Sequence, residues 1–369
     1  MSHGRGYEVR LAPVENADQV APVWTSLCAA TRVPLFLSWE WIGSWLECLP
    51  PGERPLLLSA WRDDRPHAAC LLVQKSLRRH YLLPSRVLFV NVTGERDYNL
   101  NPEYNGILAS DTAAKAALLD FLCQQHDDWD EIHLPAATQA ERNELDSLAR
   151  AQGLRLLTQR RSRCYRVDLA ALRAAHGDYR RGLSRNARYQ LNRACRAYRR
   201  LGEVRIETAP DLDTALAWFA QLKILHTRSW HRRGMGGAFD KRYWEPFHRR
   251  LIERLFPAGR IQMLRVRAGT TDIGYLYNIL DGREVLFIQS GFNYTADPHL
   301  KPGYVSHALA IEENLRAGND SYNFLAGDER YKKTLARAAE PLYWLSIQRT
   351  RLRFGIENVL RRLLRPRTP

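Results

Sequence analysis

Along the first 170 residues, apolar and polar positions alternate in blocks that read as helices and strands in turn. Residues 15–30 read as a helix. Ser38 can cap a second one over WEWIGSWLECL, which Pro50 and Pro51 stop. LLLSAW (56–61) and HAACLLVQKSL (67–77) are strand candidates across the turn-like RDDRP, and RVLFVNV (86–92) is another. A helix over 112–125 has Asp111 as its cap. The strand EIHLPA (131–136), a helix over 141–153 ended by Gly153, and a final strand over 162–169 complete the half.

Residues 178–201 follow as a long arginine-studded helix. Leu183, Ala187, Leu191, Ala194 and Tyr198 recur at three- and four-residue steps and predict one buried stripe. The architecture then repeats without a visible sequence repeat. Helices are expected over 211–230 and 240–256, strands over RIQMLRVRAG, DIGYLYNILD and EVLFIQSGFN, a helix over 303–317, the strand SYNFLA and the loop GDERYKK. The pattern predicts an α/β (α+β) fold of two halves, each a mixed central sheet flanked by helices. The expected division is 1–170, 171–345 and a basic amphipathic terminal helix from 346 to 369.

The length of 369 residues suits two domains. Six cysteines lie at least twenty residues apart, with no CxxC pair, so reduced thiols and no zinc site are expected. The N-terminus lacks the apolar core of a signal peptide, and no run of about 18 apolar residues would span a membrane. A cytoplasmic protein is the resulting expectation. Lys and Arg number 55 against 40 Asp and Glu, a net +15, with arginine concentrated in 160–205 and 349–367. Such a field suits a polyanion, whether a phosphorylated cofactor, an acidic carrier, RNA or an anionic membrane; a solvated basic face is the plainer reading.

Three stretches together resemble the bacterial CelD/BcsL-type branch of the GNAT acyltransferase superfamily, itself related to Fem-type aminoacyl transferases. They are PLFLSWEWIGSWLECL (34–49), LSRNARYQLNRACRAYRRLG with LHTRSWHRRGMGGAF (183–202 and 225–239), and PGYVSHALAIEENLRAGNDSYNFLAGDERYKK (302–333). The sequence departs from the family signature at Asn323, usually Asp, at Ala326, usually Arg, and after Lys332, where a tryptophan is common.

The resemblance implies an N-acyltransferase that uses acyl-CoA or an acyl carrier as donor and an amine as acceptor, with no metal. The donor's phosphates are then expected on Lys301, Pro302, Gly303, Tyr304, Val305 and Ser306, where a helix N-terminus attracts anions. Tyr331 is the expected general acid beside Lys332, with Asp328 or Glu329 as base or as anchor for the incoming amine. Asp328 as a plain helix cap is the alternative. His226, one turn before Trp230, is a candidate base or substrate contact. Tyr277, Asn278, Gln289 and Ser290 are polar positions on otherwise apolar strands, expected to line the acceptor cleft or to satisfy a neighbouring backbone. Asp97 and Tyr98 resemble a family pair that YNG (104–106) continues, placing the first half as scaffold and acceptor wall. Residues 350–365 carry Leu352, Ile356, Val359, Leu360 and Leu363 opposite arginines, a stripe for docking on the body or for weak peripheral contact with a membrane. Two other readings stay open: a charged tRNA as donor, to which the arginine-rich helix is suited, and a non-catalytic binding protein on the same fold.

Overall fold

The computed structural model describes residues 2–4, 6–79, 83–95, 100, 102–124, 128–351 and 354. The first sheet contains β1 (Ser2–Gly4), β2 (Tyr7–Pro13), β3 (Leu56–Arg62), β4 (Arg65–Arg79), β5 (Leu83–Val90), β6 (Leu108–Ala109), β7 (Glu131–Ala137) and β8 (Arg155–Ser162). Around it lie α1 (Ala21–Ala30), α2 (Trp39–Glu47), α3 (Thr112–Gln124) and α4 (Gln139–Ala151). The second half has β9 (Cys164–Asp168), α5 (Leu169–Ala174), α6 (Arg185–Arg199), β10 (Val204–Thr208), α7 (Leu212–His231), α8 (Trp244–Leu255), β11 (Ile261–Ala268) and β12 (Thr271–Asp281). It continues through β13 (Glu284–Phe292), α9 (Pro302–Arg316), β14 (Ser321–Ala326), α10 (Arg330–Leu335) and β15 (Arg337–Ala338). A last strand, β16 (Leu342–Gln348), returns to the first sheet.

Local chemistry accounts for many of these boundaries. Ser38 Oγ accepts from the Trp41 N–H at 3.4 Å, and Asp111 Oδ1 from the Ala114 N–H at 2.8 Å, each satisfying a free donor at a helix start. Asp63 and Asp64 hold φ of 51° and 55°, the two left-handed positions that a two-residue hairpin between β3 and β4 requires. The stripe on α6 is buried as the periodicity predicts, but the helix starts at Arg185, not 178, with Ser184 capping the Ala187 N–H. GDERYKK is not all loop, because α10 begins at Arg330.

The strand orders are β1-β2-β3-β4-β5-β7-β16-β8, with β6 on β4, and β10-β11-β12-β13-β14-β9-β15. The sequence reading ends the first half with the strand at 162–169, whereas β9 pairs with β14 in the second sheet. In return β16 lies between β7 and β8 of the first. The expected helix at 350–365 falls almost wholly outside the described residues.

The halves also share a core. Trp24, Trp41 and Trp45 of the first half pack in one cluster with Phe219, Phe247, Leu251 and Tyr277 of the second. Trp41 meets Phe247 edge-on at 4.8 Å, and Glu47 bonds both Arg250 and Arg254 at the rim. This contact fixes one half against the other, which matters because the cleft draws on both.

The two sheets repeat one feature. In each, a single parallel pair, β5–β7 or β13–β14, runs alongside for three residue pairs and then parts. Just past the parting, Ala136 on β7 and Leu325 on β14 hold φ of 55° and 61°. The outer neighbours β16 and β9 both shift register against these strands. What fills the gap differs between the halves.

Candidate active site

In the second half the gap is open. The β13–β14 ladder ends at Leu286–Asn323, and a cavity of about 650 Å³ lies beyond, lined by Phe287–Ser290 and Phe324–Ala326. A β-bulge leaves Ile288 unpaired with β12, because Tyr277 opposes Gln289 while Asn278 opposes Phe287. The bulge breaks the strict alternation of a strand, so four consecutive residues border the cavity. Gly291 lets α7 lie close behind, since a Cβ there would stand 2.2 Å from the Leu222 carbonyl oxygen.

The N-terminus of α9 stands at the mouth. Pro302 occupies the first turn, and the cap residue Lys301 has no side-chain acceptor to offer the free N–H groups. Lys301 Nζ donates to Gln190 Oε1 of α6 at 2.9 Å. A second cavity of about 980 Å³, between α5, α6 and α10, adjoins the first and shares Lys301, Tyr304 and Arg330 with it. Of the six residues expected to hold phosphate, Lys301, Pro302, Gly303 and Tyr304 border the cavities. Val305 and Ser306 turn into the core, fully buried, and border neither.

On the far wall, α10 brings Tyr331 and Lys332 into the first cavity. Tyr331 stacks on His307 at 5.2 Å with 11° between rings, and burial holds its phenol well above the usual range, so it is protonated and able to donate. His307, in an aromatic box with Phe287, Phe292 and Phe324, is driven by burial to about 3 and is neutral. Lys332 is buried; its Nζ donates to the Ala326 carbonyl at 2.6 Å and pairs with Glu329 at 3.3 Å. Gly327, at φ 133°, makes room for that pair, since a Cβ would come within 2.3 Å of Glu329 and 2.8 Å of Lys332.

His226 and Trp230 of α7 reach the same cavity, as does Glu329. His226 packs against Phe239 at 5.1 Å, and burial lowers it to about 4. Gln289 and Ser290 border the cavity, with Gln289 Oε1 accepting from the Ser290 N–H at 3.0 Å.

Three further sequence-based assignments fail on geometry. Asp328 is exposed and borders neither cavity. It accepts from the Tyr165 hydroxyl at 3.0 Å and pairs with Lys333 at 3.2 Å, and the cap position of α10 is Glu329 instead. Tyr277 and Asn278 are fully buried: Asn278 bonds Gln262 at 2.9 Å inside a polar core network with Asn314, and Tyr277 packs on Phe219 and His248. A polar residue on an apolar strand here satisfies its neighbours rather than a ligand. Asp97 and Tyr98 lie outside the described residues.

One site residue escaped the sequence reading. Glu103, from the first half, borders the cavity, and its Oε2 accepts from the Ala326 N–H at 2.7 Å. Burial outweighs that bond and the nearby Lys332, and the carboxyl is raised to about 7. Its neighbour Tyr104, at φ 52°, accepts from Asn323 Nδ2 at 2.8 Å; Asn323 also donates to Glu284 at 2.9 Å. Among the described residues no group of three or more His, Cys, Asp or Glu is placed to hold a metal ion, and no helix is long and apolar enough to cross a membrane.

No curated protein sequence matches the chain. The fold is similar to that of FemX (TM-score 0.56, 10% identity), with 94% of this chain and 99% of that chain aligned. It is also similar to the C-terminal domain of a protein assigned as a lysylphosphatidylglycerol synthetase from Agrobacterium fabrum (0.52, 11%), over 94% and 95% of the two chains. A conserved protein of unknown function from Bacteroides thetaiotaomicron matches at 0.52 and 10% identity, over 93% and 100%. Residues 185–333, which run from α6 to α10, match the family model of the acetyltransferase (GNAT) domain. That stretch, the half whose parallel strands part around an open cleft, is thus similar to a GNAT acetyltransferase domain.

Proposed function

We propose that the protein transfers an acyl group from acyl-CoA to an amine, in the cleft between β13 and β14. The parting of these strands at the N-terminus of α9 carries the reading, since it joins a slot for an extended thioester arm to an anion site. The donor's diphosphate lies on the free N–H groups of Gly303 and Tyr304 beside Lys301, with the helix dipole favouring the charge. One arm of the donor then enters the β13–β14 gap and the other the adjoining cavity. Backbone N–H groups on the free edge of β13 polarise the thioester carbonyl; Gln289 Oε1 now occupies one of them, at Ser290. Tyr331, protonated and half-buried, gives its proton to the departing thiolate.

The amine approaches from the side of His226, Trp230 and Glu329. The departures from the family signature leave this machinery in place: Asn323 ties the halves together, and Ala326 serves the site through its backbone N–H and carbonyl.

A charged tRNA is the competing donor, favoured by the basic, largely exposed outer face of α6 and by the likeness of fold to FemX. Purified protein incubated with acetyl-CoA, longer acyl-CoAs or charged tRNA, with primary amines present, separates the two. Thiol release that depends on amine supports the acyl-CoA reading. Consumption of charged tRNA alone, with affinity falling steeply as salt rises, supports the other.

A further inference from the structure

We propose that Glu103 is the proton acceptor for the attacking amine, delivered to the second half's cleft by a loop that plugs the corresponding cleft of the first half. The inference rests on the acyl-transfer reading above and names a participant that reading lacks.

The first half builds the same parting of parallel strands, but its own chain closes it. Asn105 bridges the two strands: its backbone N–H donates to the Ala136 carbonyl at 3.2 Å, and its side-chain amide to the Val90 carbonyl at 3.0 Å. Asn91 completes the plug, donating to Asn105 Oδ1 at 3.0 Å and to the Gly106 carbonyl at 2.9 Å. A part-buried ion cluster anchors the loop from behind, with Lys115 bonded to Glu141 and Glu144 at 2.6 Å and Glu141 accepting from the Ile107 N–H at 3.2 Å. A donor is thereby excluded from the first half. The residues just before the plug, Glu103 and Tyr104, are bonded to Ala326 and Asn323 of β14, at the wall of the open cleft.

The surroundings of Glu103 suit a base. Ala326 offers its N–H from β14, Lys332 and Glu329 face it from α10, Arg160 from β8 and Cys164 from β9. Burial is the strongest of these influences and sets the carboxyl near 7. His226 and His307, in the same cavity, stand at about 4 and about 3, too acidic as conjugate acids to hold a proton at neutral pH. A base works best when its affinity for the proton matches the working pH, and only the carboxylate among these three does so.

In the step itself the neutral amine nitrogen forms a bond to the thioester carbonyl carbon and gives one proton to the Glu103 carboxylate. The carbon–sulfur bond then breaks, and the sulfur takes the Tyr331 phenol proton. Return of a proton from Glu103 to the phenolate through solvent restores both groups.

Three measurements on the full chain and Glu103→Gln test this. Carbon-13 NMR of side-chain carboxyls should show one resonance that titrates near pH 7 and vanishes in the variant. Thiol release from acetyl-CoA in the presence of primary amines should rise with pH through about 7 in the wild type. In the variant it should fall about 100-fold or more and lose that limb. CoA affinity should be unchanged, which also shows the variant to be folded. A Glu103 resonance titrating below pH 5, or an identical pH limb in the variant, overturns the proposal. Failure of the wild type to bind CoA sinks the donor reading instead, a result the carboxyl titration does not share.

Discussion

At the residue scale, Tyr331 and Lys332 divide the work of the α10 wall. Tyr331 is held upright by the parallel His307 ring and has its proton fixed by burial. Tyr331→Phe keeps the stack and removes only the proton. In this variant kcat for thiol release should fall about 100-fold with little change in the KM for acyl-CoA. Lys332 acts on Glu103 through charge, favouring its ionised form. Lys332→Gln can still bond the Ala326 carbonyl but removes the positive charge, so the Glu103 carboxyl rises further. The ascending limb of the pH–rate profile should therefore move to more alkaline pH.

The sign for stability follows from the same shift. A carboxyl raised above its unfolded value makes the folded state lose stability as pH climbs from about 4 through 7. Glu103→Gln should melt no lower than the wild type at pH 8, with the difference vanishing below about pH 4. The GDERYKK signature made Tyr331 and Lys332 legible in the sequence. Glu103 was not, because its place at the cleft wall comes from a contact with Ala326, 223 residues away.

At the scale of elements, the decisive structure is a strand pair that parts. Hydrophobic periodicity located β13, α9 and β14, since each buries a regular apolar face. It could not show that β13 and β14 separate, nor that the bulge at Ile288 turns Gln289 and Ser290 toward the gap. It also read Tyr277 and Asn278 as cleft residues, because a polar side chain satisfied inside a core looks the same in sequence as one awaiting a ligand. The edge strands β8 and β10 carry mixed, half-exposed patterns and gave little signal.

The plug in the first half makes a prediction of its own. Asn105→Ala deletes the amide that holds Val90 and leaves that buried carbonyl unpaired, costing about 1–3 kcal/mol in denaturant unfolding. Because the loop also positions Glu103, kcat should fall as well, while CoA affinity holds. A loss of stability with kcat intact would show that plug and catalytic residue are independent.

At the scale of the molecule, two features bind the halves into one unit: exchanged strands and a common core. The sequence division near 170 follows the order of elements along the chain. The sheets do not, since β9 crosses into the second sheet and β16 returns to the first. Such exchange is invisible to local patterning because the whole second half lies in sequence between β16 and its neighbours β7 and β8.

The shared core explains how a residue of the first half keeps its distance to β14. Phe247 is fully buried between Trp41 and the second half's own aromatics. Phe247→Ala should cost about 3–5 kcal/mol in chemical denaturation and weaken the catalytic contact between halves along with the fold.

The chemistry of the second half depends on acyl-CoA binding in the cleft at the α9 N-terminus. Titration calorimetry of acetyl-CoA into the wild type and Gly303→Glu tests it most directly. The substitution sets a carboxylate at the proposed diphosphate site, where a Cβ already lies 3.2 Å from the Phe292 ring. The wild type should bind saturably below about 1 mM and the variant not at all, with both proteins folded. Absence of binding by the wild type at millimolar acetyl-CoA, or equal binding by the two, would contradict it.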